Sequence, residues 1–214
     1  MLSITTLAVF AVQAAASPDS VYRLPLRVHL LSSPVSAALT TIRTEPEVQT
    51  LVATANAIWR QANIEWVLES VVGEEAPNGA VFEQLLAGEI PRTRERLTSI
   101  APRERLLRPG WNLFLIRDFG RIGGGVFYTE LDGIILAERG FGYELPPDGR
   151  GGATLAHELG HSLGLFHVPC DSTRNILAIG CWDPSQLSSL TPAQIGTARR
   201  QAATGRPSPE TFQP

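Results

Sequence analysis

Residues 22–30 alternate strictly between apolar and polar side chains, which predicts a half-buried strand. Thr44 is followed three residues later by Glu47, a capping-box pattern, and apolar residues then recur at helical spacing as far as Ala62. A long amphipathic helix is therefore expected after the strand. The segment Ile64–Leu68 alternates again and predicts a second strand. This order of strand, helix and strand predicts a right-handed crossover that leaves the two strands parallel.

The second half of the chain carries shorter signals. Two continuous apolar runs, Trp111–Ile116 and Gly133–Ala137, are typical of buried central strands. Three glycines at 123–125 lead into a short segment ending at Thr129, which predicts a glycine bulge followed by a strand of edge character. A phosphate-binding loop is rejected there, because the segment has neither GxGxxG spacing nor a P-loop lysine. Residues 191–194 combine an N-cap threonine, a proline and a capping-box glutamine, so a C-terminal helix is expected.

Chain length and charge limit the number of domains and the kinds of partner that the sequence allows. A chain of 214 residues holds one sizeable core, so residues 17–205 are expected to form one monomeric domain and residues 206–214 a frayed tail. All 18 basic residues are arginine and the formal net charge is −3, so no global basic field exists and no nucleic-acid partner is expected. Six arginines between Arg92 and Arg108 are predicted to line a solvated helical face.

The N-terminal segment 1–16 has the composition of a cleavable signal peptide. It carries no charge, and Ile4–Ala16 is an apolar run that ends in three alanines. A basic n-region is missing, so a core segment and a short membrane anchor remain alternatives. No later stretch reaches the roughly 20 apolar residues that a spanning helix requires. The protein is therefore expected to be secreted or periplasmic, without a stable membrane span.

The pattern with the clearest chemistry is His157-Glu158-Leu159-Gly160-His161. In a helix, His157 and His161 are four residues apart and project from the same face, a spacing that suits two imidazoles on one metal ion. Glu158 is offset from that pair. Its carboxylate is expected to stay outside the coordination shell and beside a metal-bound water, where it can accept a proton.

The motif continues to a third histidine. Gly164 is suited to a left-handed residue that ends the helix and turns the backbone, bringing His167 back toward the ion. Three protein ligands leave a fourth position open, which distinguishes a catalytic zinc site from a closed structural one. The one histidine outside the motif, His29, lies on the polar side of its strand and is predicted to be a surface residue. The sequence thus predicts one Zn²⁺ per chain.

Residues 157–167, HELGHSLGLFH, resemble the HExxHxxGxxH signature of the metzincin metallopeptidases. The order of predicted elements is similar to a metzincin catalytic domain over nearly all of residues 21–204. The resemblance implies an α+β zincin fold: a twisted mixed sheet with an antiparallel edge strand, a long helix packed on it, an active-site helix, and a small C-terminal subdomain ending in a helix.

The same resemblance implies functional roles. His157, His161 and His167 correspond to zinc ligands and Glu158 to the general base. The edge segment corresponds to the strand that binds substrate in extended form; its residues are Gly124, Gly125, Val126, Phe127 and Tyr128.

One position departs from the family's pattern. Leu177 stands where metzincins carry the Met-turn methionine, and a leucine of similar volume is a mildly costly replacement. Val168, which follows the third histidine, leaves the metzincin branch unassigned.

The two cysteines, Cys170 and Cys181, flank this turn. An exported compartment would allow them to form a disulfide, which would fix the loop beneath the metal. Two buried thiols, or one thiol ligating metal, are the alternatives.

The expected activity is secreted, zinc-dependent endopeptidase cleavage of a protein or peptide. Two alternatives remain. One is a zinc-holding binding module with little turnover, which the Leu177 replacement suggests. The other is a zincin acting on a non-protein amide such as cell-wall peptide. Calcium is a further candidate cofactor at Glu130 and Asp132, but carboxylates near a turn are more often solvated.

Overall fold

The computed structural model describes residues 20–170, 174–178 and 188–210. The strands are β1 (Tyr22–Ser32), β2 (Ile64–Glu75), β3 (Trp111–Asp118), β4 (Gly125–Tyr128), β5 (Gly133–Gly140) and β6 (Tyr143–Glu144). The helices are α1 (Glu45–Trp59), α2 (Gly79–Ala87), α3 (Arg94–Thr98), α4 (Gly152–Ser162) and α5 (Pro192–Ala202). Helix α5 confirms the C-terminal helix predicted from residues 191–194.

The strands form one mixed sheet with the order β2-β1-β3-β5-β4, and β6 pairs with β5. Strands β2, β1, β3 and β5 are parallel to one another, whereas β4 and β6 both run antiparallel to β5. The predicted parallel pairing of β1 with β2 and the predicted antiparallel edge strand are both confirmed. The α+β fold class inferred from the sequence is confirmed with them.

Apolar side chains fill both faces of the sheet. On one face, alternate residues of β1, β3 and β5 pack against α1, α4 and α5 in the larger core. On the other face, the intervening residues pack against α2, α3 and their connections in a second core. Period-two alternation divides each strand between these cores. The motif helix α4 belongs to the larger core, against α1.

Strand β2 is longer than its alternation predicted. Its pairing with β1 shifts register between Leu26 and Arg27 and then continues as far as Ser32 opposite Glu75. The residues beyond Leu68 break the apolar–polar alternation, although their backbone continues to pair with β1. The alternation therefore predicted too short a strand. Hydrogen bonds to β1, rather than the side-chain pattern of β2, determine how far this strand runs.

The prediction that His29 lies at the surface is wrong. Its side chain is 0% exposed and stacks on Phe114, with ring centroids 4.4 Å apart. The Nδ1 atom lies 2.6 Å from a Glu74 carboxylate oxygen and Nε2 lies 3.2 Å from the Asn112 side-chain oxygen. The Leu107 N–H donates to that same Asn112 oxygen, which fixes the orientation of the amide. Both ring nitrogens therefore face acceptor oxygens.

The predicted fraying of the C-terminal tail is also wrong for residues 206–210, the part that the structure describes. Pro207 and Ser208 are buried, and the Ser208 N–H donates to the Ser162 carbonyl oxygen at 2.7 Å. The tail thus packs against the end of α4. The signal-peptide segment 1–16 lies outside the described residues and its role stays a prediction. Among the described helices, none has the length and apolar character needed to cross a bilayer.

Candidate metal centre

Helix α4 is held rigidly because almost its whole length is buried. The indole N–H of Trp59, at the end of α1, donates to the Ala156 carbonyl oxygen at 3.1 Å. At the other end of the helix, the indole N–H of Trp111 donates to the Ser162 hydroxyl at 2.9 Å. Two tryptophans from separate elements therefore fix the helix that carries His157, and their hydrogen bonds satisfy polar groups that burial would otherwise leave unpaired.

The end of α4 forms a Schellman motif. Gly164 has φ +79°, its N–H donates to the His161 carbonyl oxygen at 2.9 Å, and the Leu165 N–H donates to the Gly160 carbonyl oxygen at 3.0 Å. The left-handed conformation predicted for Gly164 is confirmed. The Leu165 carbonyl oxygen in turn lies 2.8 Å from His161 Nδ1, so the turn that ends the helix also orients this histidine.

The three histidines of the motif converge. Their Nε2 atoms lie 3.1 Å apart for His157 and His161, 3.1 Å for His157 and His167, and 3.2 Å for His161 and His167. Ligands about 2.0–2.1 Å from a tetrahedral zinc ion lie roughly 3.3 Å from one another, so this triangle has the right size for zinc. Within the described part of the chain, this is the cluster that could hold a metal ion.

Hydrogen bonds on the opposite ring edge prepare two of these nitrogens as ligands. His157 Nδ1 lies 2.7 Å from the Ile176 carbonyl oxygen, and His161 Nδ1 has the Leu165 contact described above. A carbonyl oxygen only accepts hydrogen bonds, so each Nδ1 must donate an N–H to it. The proton of each neutral ring therefore sits on Nδ1, and the Nε2 lone pair points into the cluster.

Burial keeps these rings neutral. It lowers the pKa of His157 to about 4 and, helped by the neighbouring His157, lowers the pKa of His161 to about 3. Burial also lowers the pKa of His167, which is the most exposed of the three. Metal binding needs neutral imidazole, so the cluster is ready to bind at neutral pH without first losing protons.

Glu158 lies beside the cluster and is 7% exposed. Burial raises the pKa of its carboxyl group to about 8, and a hydrogen bond from the Phe127 backbone N–H opposes this rise. The side chain packs on Gly125 of β4, where an added Cβ atom would lie only 2.8 Å from Glu158 Cγ. The edge strand and the motif helix are therefore in direct contact at Glu158.

The backbone of β4 alternates between facing β5 and facing outward. The Ala137 N–H donates to the Gly124 carbonyl oxygen at 2.9 Å, and Val126 pairs with Ile135 two residues further along. In an antiparallel ladder such alternate residues direct both backbone groups into the sheet. Gly125 and Phe127 therefore face outward, away from β5.

This alternation refines the sequence prediction for the substrate strand. All five residues from Gly124 to Tyr128 lie at the sheet edge or directly before it, but their backbone groups are not equivalent. Val126 and Tyr128 bond into the sheet through their backbone and place their side chains in the second core. The outward backbone groups of Gly125 are the ones that a partner strand would meet.

Leu177 lies beneath the motif helix, as its position in the sequence implied. It is 0% exposed, and its Cδ2 atom would lie 3.2 Å from a Cβ atom added at Gly160. The Leu177 carbonyl oxygen accepts a hydrogen bond from the Val168 N–H at 3.0 Å. The turn thus supports α4 from below and ties down the backbone next to His167.

The remaining predicted site residues lie elsewhere. Cys181 is outside the described residues, so its pairing with Cys170 stays a prediction. Glu130 binds the Arg94 guanidinium, and Asp132 lies 3.5 Å from Arg108. Both calcium candidates thus have arginine partners. The six arginines between 92 and 108 are exposed or half-buried, which confirms that they are solvated. Only Arg94 and Arg96 lie on an α-helix, so the prediction of one helical face is wrong.

The sequence patterns did not identify several residues that shape the site. Trp59 and Trp111 were assigned to a helix and a strand for their apolar character alone, without a role in fixing α4. The carbonyl oxygens of Leu165 and Ile176 carry no side-chain signature. The triple glycine at 123–125 was the one available signal, because glycines in a strand often mark a close approach by another group. Here that group is Glu158.

Comparison with known proteins supports the fold assignment. Neither a family model nor a curated protein matches the sequence. Mature mirolysin of Tannerella forsythia, solved with a cleaved peptide, is similar in structure, with a TM-score of 0.57 and 15% identity over 85% of this chain and 92% of mirolysin. A chain from a chaperone–substrate complex has a TM-score of 0.51 and 13% identity over 87% of this chain, which spans only 35% of that one.

At these identities the likeness shows the fold alone. Mirolysin shares with this chain the mixed sheet, its antiparallel edge strand and the packed helices. Together, this fold and the three-histidine cluster fit a zinc metallopeptidase.

Proposed function

We propose that the protein is an exported zinc-dependent endopeptidase that hydrolyses peptide bonds in substrates bound in extended form. The observation that carries this proposal is the convergence of three Nε2 atoms, 3.1–3.2 Å apart, on a helix whose neighbouring Glu158 touches the edge strand of the sheet. The metal ligands, a buried carboxyl group and a strand edge thus meet at one place.

His157, His161 and His167 would hold the zinc ion. When bound, zinc supplies a Lewis acid that polarises the scissile carbonyl and makes a water molecule more acidic. The positive charge would also favour the carboxylate form of Glu158, against the effect of burial. The three neutral histidines leave the net charge of the metal in place, so that polarisation is not cancelled by an anionic ligand.

Glu158 is the proposed general base. Its carboxylate takes a proton from the attacking water and passes it to the leaving amine. Burial raises the pKa of this carboxyl group to about 8 in the metal-free protein, which supports a group that takes up a proton near neutral pH. The Phe127 N–H and the bare backbone of Gly125 hold the carboxyl group in place.

The substrate is proposed to pair with β4 as an added strand. Gly125 directs its N–H and its carbonyl oxygen outward, and backbone hydrogen bonds of this kind bind peptides with little regard for sequence. The peptide bond nearest Glu158 is then the one cleaved. The fold is shared with mirolysin, whose structure contains a cleaved peptide, and this supports a peptide as the substrate.

Export and a Cys170–Cys181 disulfide belong to the same proposal. The apolar segment 1–16 supports export, and an oxidising compartment would allow the two cysteines to pair around the Leu177 turn. Peptide mapping of exported protein by mass spectrometry, without reduction, tests both points. The expected result is an N-terminus near Ser17 and one peptide containing both cysteines, whereas two free thiols would contradict the pairing.

Metal analysis combined with a proteolysis assay tests the main proposal. We expect one zinc per purified chain and hydrolysis of casein or gelatin that stops on chelation and returns when zinc is added back. Mass spectrometry of the products distinguishes an endopeptidase from an enzyme that removes terminal residues. A chain that binds a full complement of zinc but cleaves neither protein nor peptide would instead favour the binding-module interpretation.

A further inference from the structure

Two of the exposed large apolar side chains lie next to each other on one turn. Phe141 is 65% exposed and Tyr143 is 64% exposed, and both belong to the hairpin that joins β5 to β6. Single exposed apolar residues are common on protein surfaces and need no explanation. Two aromatic side chains this exposed on one hairpin beside a candidate active site are different, because together they place apolar surface where a bound substrate would pass.

The conformation of the turn makes this pair more unusual. Phe141 has φ +52° and Gly142 has φ +85°, so both central residues are left-handed. Tight hairpins with this geometry favour Asn-Gly or Gly-Gly, since a bulky side chain in the left-handed region costs free energy. The Phe141 ring is largely in water and regains little of that cost by burial. The fold alone therefore gives no reason for an aromatic residue here.

Contacts place the hairpin at the start of the edge strand. A Cβ atom added at Gly140 would lie 2.5 Å from the Gly123 carbonyl oxygen, and the Phe141 N–H donates to the Gly120 carbonyl oxygen at 3.2 Å. A Cβ atom added at Gly123 would lie 3.8 Å from the Phe141 ring. The ring is therefore fixed against the glycine segment that leads directly into β4.

The second ring lies near charged groups at the base of the hairpin. The Arg150 guanidinium lies 6.0 Å from the centre of the Tyr143 ring. The neighbouring Glu144 pairs with Arg117 at 2.8 Å. These contacts position Tyr143 without covering it, since its ring stays mostly exposed.

We propose that Phe141 and Tyr143 form an apolar subsite for one bulky non-polar side chain of the extended peptide. This inference rests on the proposed function and names its substrate preference. A peptide that pairs with Gly125 and continues past Gly123 crosses backbone that carries no side chains. Leu145 and Thr154 lie beside Gly124 but are largely buried, whereas the exposed Phe141 ring lies 3.8 Å from the Cβ position of Gly123. That ring favours leucine, phenylalanine or a similar residue over alanine or a charged residue.

Cleavage of a matched peptide series tests the subsite. The parent peptide has alanine at the three positions on each side of the cleaved bond, and each variant has leucine at one of them. For the zinc-loaded wild type we expect leucine to raise kcat/KM by about tenfold at one position. In Phe141→Asn and Tyr143→Ser, the leucine-to-alanine ratio at that position should fall to about one, while the ratios at the other positions stay as they were. Unchanged ratios at every position, or an equal fall at all of them, would overturn the proposal.

Asparagine tolerates the left-handed conformation, so Phe141→Asn also separates function from folding. Its melting temperature should equal or exceed that of the wild type, whereas a fall would show that the ring supports the fold. The control is Val35→Asn, which removes another exposed apolar side chain, 61% exposed, on the connection between β1 and α1. Its ratios should match those of the wild type.

Two further outcomes are distinguished. If size-exclusion chromatography shows a dimer that Phe141→Asn dissociates, the rings contact a second copy of the chain and the subsite proposal is wrong. If the zinc-loaded wild type cleaves no peptide, the proposed function fails, and fluorescence binding of the same peptides then decides the subsite. A leucine preference in affinity that is lost in Phe141→Asn would support it, and equal affinities would overturn it.

Discussion

Glu158 occupies the space that any side chain at position 125 would need. The Cγ atom of Glu158 lies 2.8 Å from the position of a Cβ atom added at Gly125, and a distance under 3.0 Å forces one of the two groups to move. Gly125 does not have a left-handed conformation, so its requirement for glycine is steric. The edge strand thus sets the position of the proposed base.

Gly125→Ala should therefore impair catalysis without removing zinc. The methyl group would push Glu158 aside, and a displacement of about 1 Å near the reacting atoms costs about 10² in rate. We expect kcat to fall by about that factor, with full zinc content by metal analysis. Gly73→Ala is the matched control, because a Cβ atom there has no neighbour within 4 Å. Equal activity in the two variants would show that Gly125 does not position the base.

Glu158→Gln separates an enzyme from a zinc-holding binding module. Glutamine keeps the size of the side chain but accepts no proton at neutral pH, and general-base catalysis contributes about 10² to 10⁴ in rate. We expect kcat to fall by at least 10² while zinc content and peptide affinity stay near the wild-type values. A variant that cleaves as fast as the wild type would assign the base to another group.

The stability of the metal-free protein should be greatest near pH 6.5. The pKa of His157 falls from 6.5 to about 4 on folding, and that of His161 falls from 6.5 to about 3. Below about pH 6.5 the unfolded chain therefore binds more protons at these sites, and stability falls as the pH falls. The pKa of Glu158 shifts the other way on folding, from 4.5 to about 8, so Glu158 binds more protons in the folded protein. Its contribution to the free energy of unfolding is therefore lost as the pH rises toward 8.

Urea unfolding of chelator-treated protein between pH 4.5 and pH 8.5 measures this profile. Between about pH 4.5 and pH 6.5, the two histidines bind protons in the unfolded chain and Glu158 binds one in the folded protein. The unfolded chain thus takes up more protons, and lowering the pH reduces stability. In Glu158→Gln the decline above about pH 6.5 should disappear, while the decline in acid becomes steeper. A profile that is the same in the variant and the wild type would contradict the assignment of the alkaline limb to Glu158.

His29 and Glu74 should behave as a coupled buried pair. Their side chains are 0% and 7% exposed. Removal of one partner of a buried hydrogen-bonded pair leaves the other group unsatisfied, which typically costs about 1–3 kcal/mol and more for a charged group. We expect His29→Leu to lower the free energy of unfolding by about 3 kcal/mol, and the double variant with Glu74→Leu to lose less than the sum of the two single changes. A loss of less than about 0.5 kcal/mol in His29→Leu is typical of a surface residue and would contradict the buried pair.

The sequence by itself determined the local features of the fold and of the candidate site. The helical spacing of His157 and His161, the left-handed Gly164 and the capping box at Thr44 depend on residues that lie within one or two turns of each other. The parallel pairing of β1 with β2 also followed, because a strand, a helix and a strand in this order have one favoured handedness. These signals arise from backbone geometry and short-range hydrogen bonds, so they can be recognised without knowledge of the rest of the chain.

The tertiary structure decided which surfaces are covered and which distant groups touch. Alternation placed His29 on the polar face of β1, but only the packing of Phe114 and Glu74 from other strands shows that this face is buried. The contact between Gly125 and Glu158 likewise joins residues 33 positions apart by number. Burial and contact depend on how separate elements pack together, and the periodicity of one segment carries no information about the segment that will cover it.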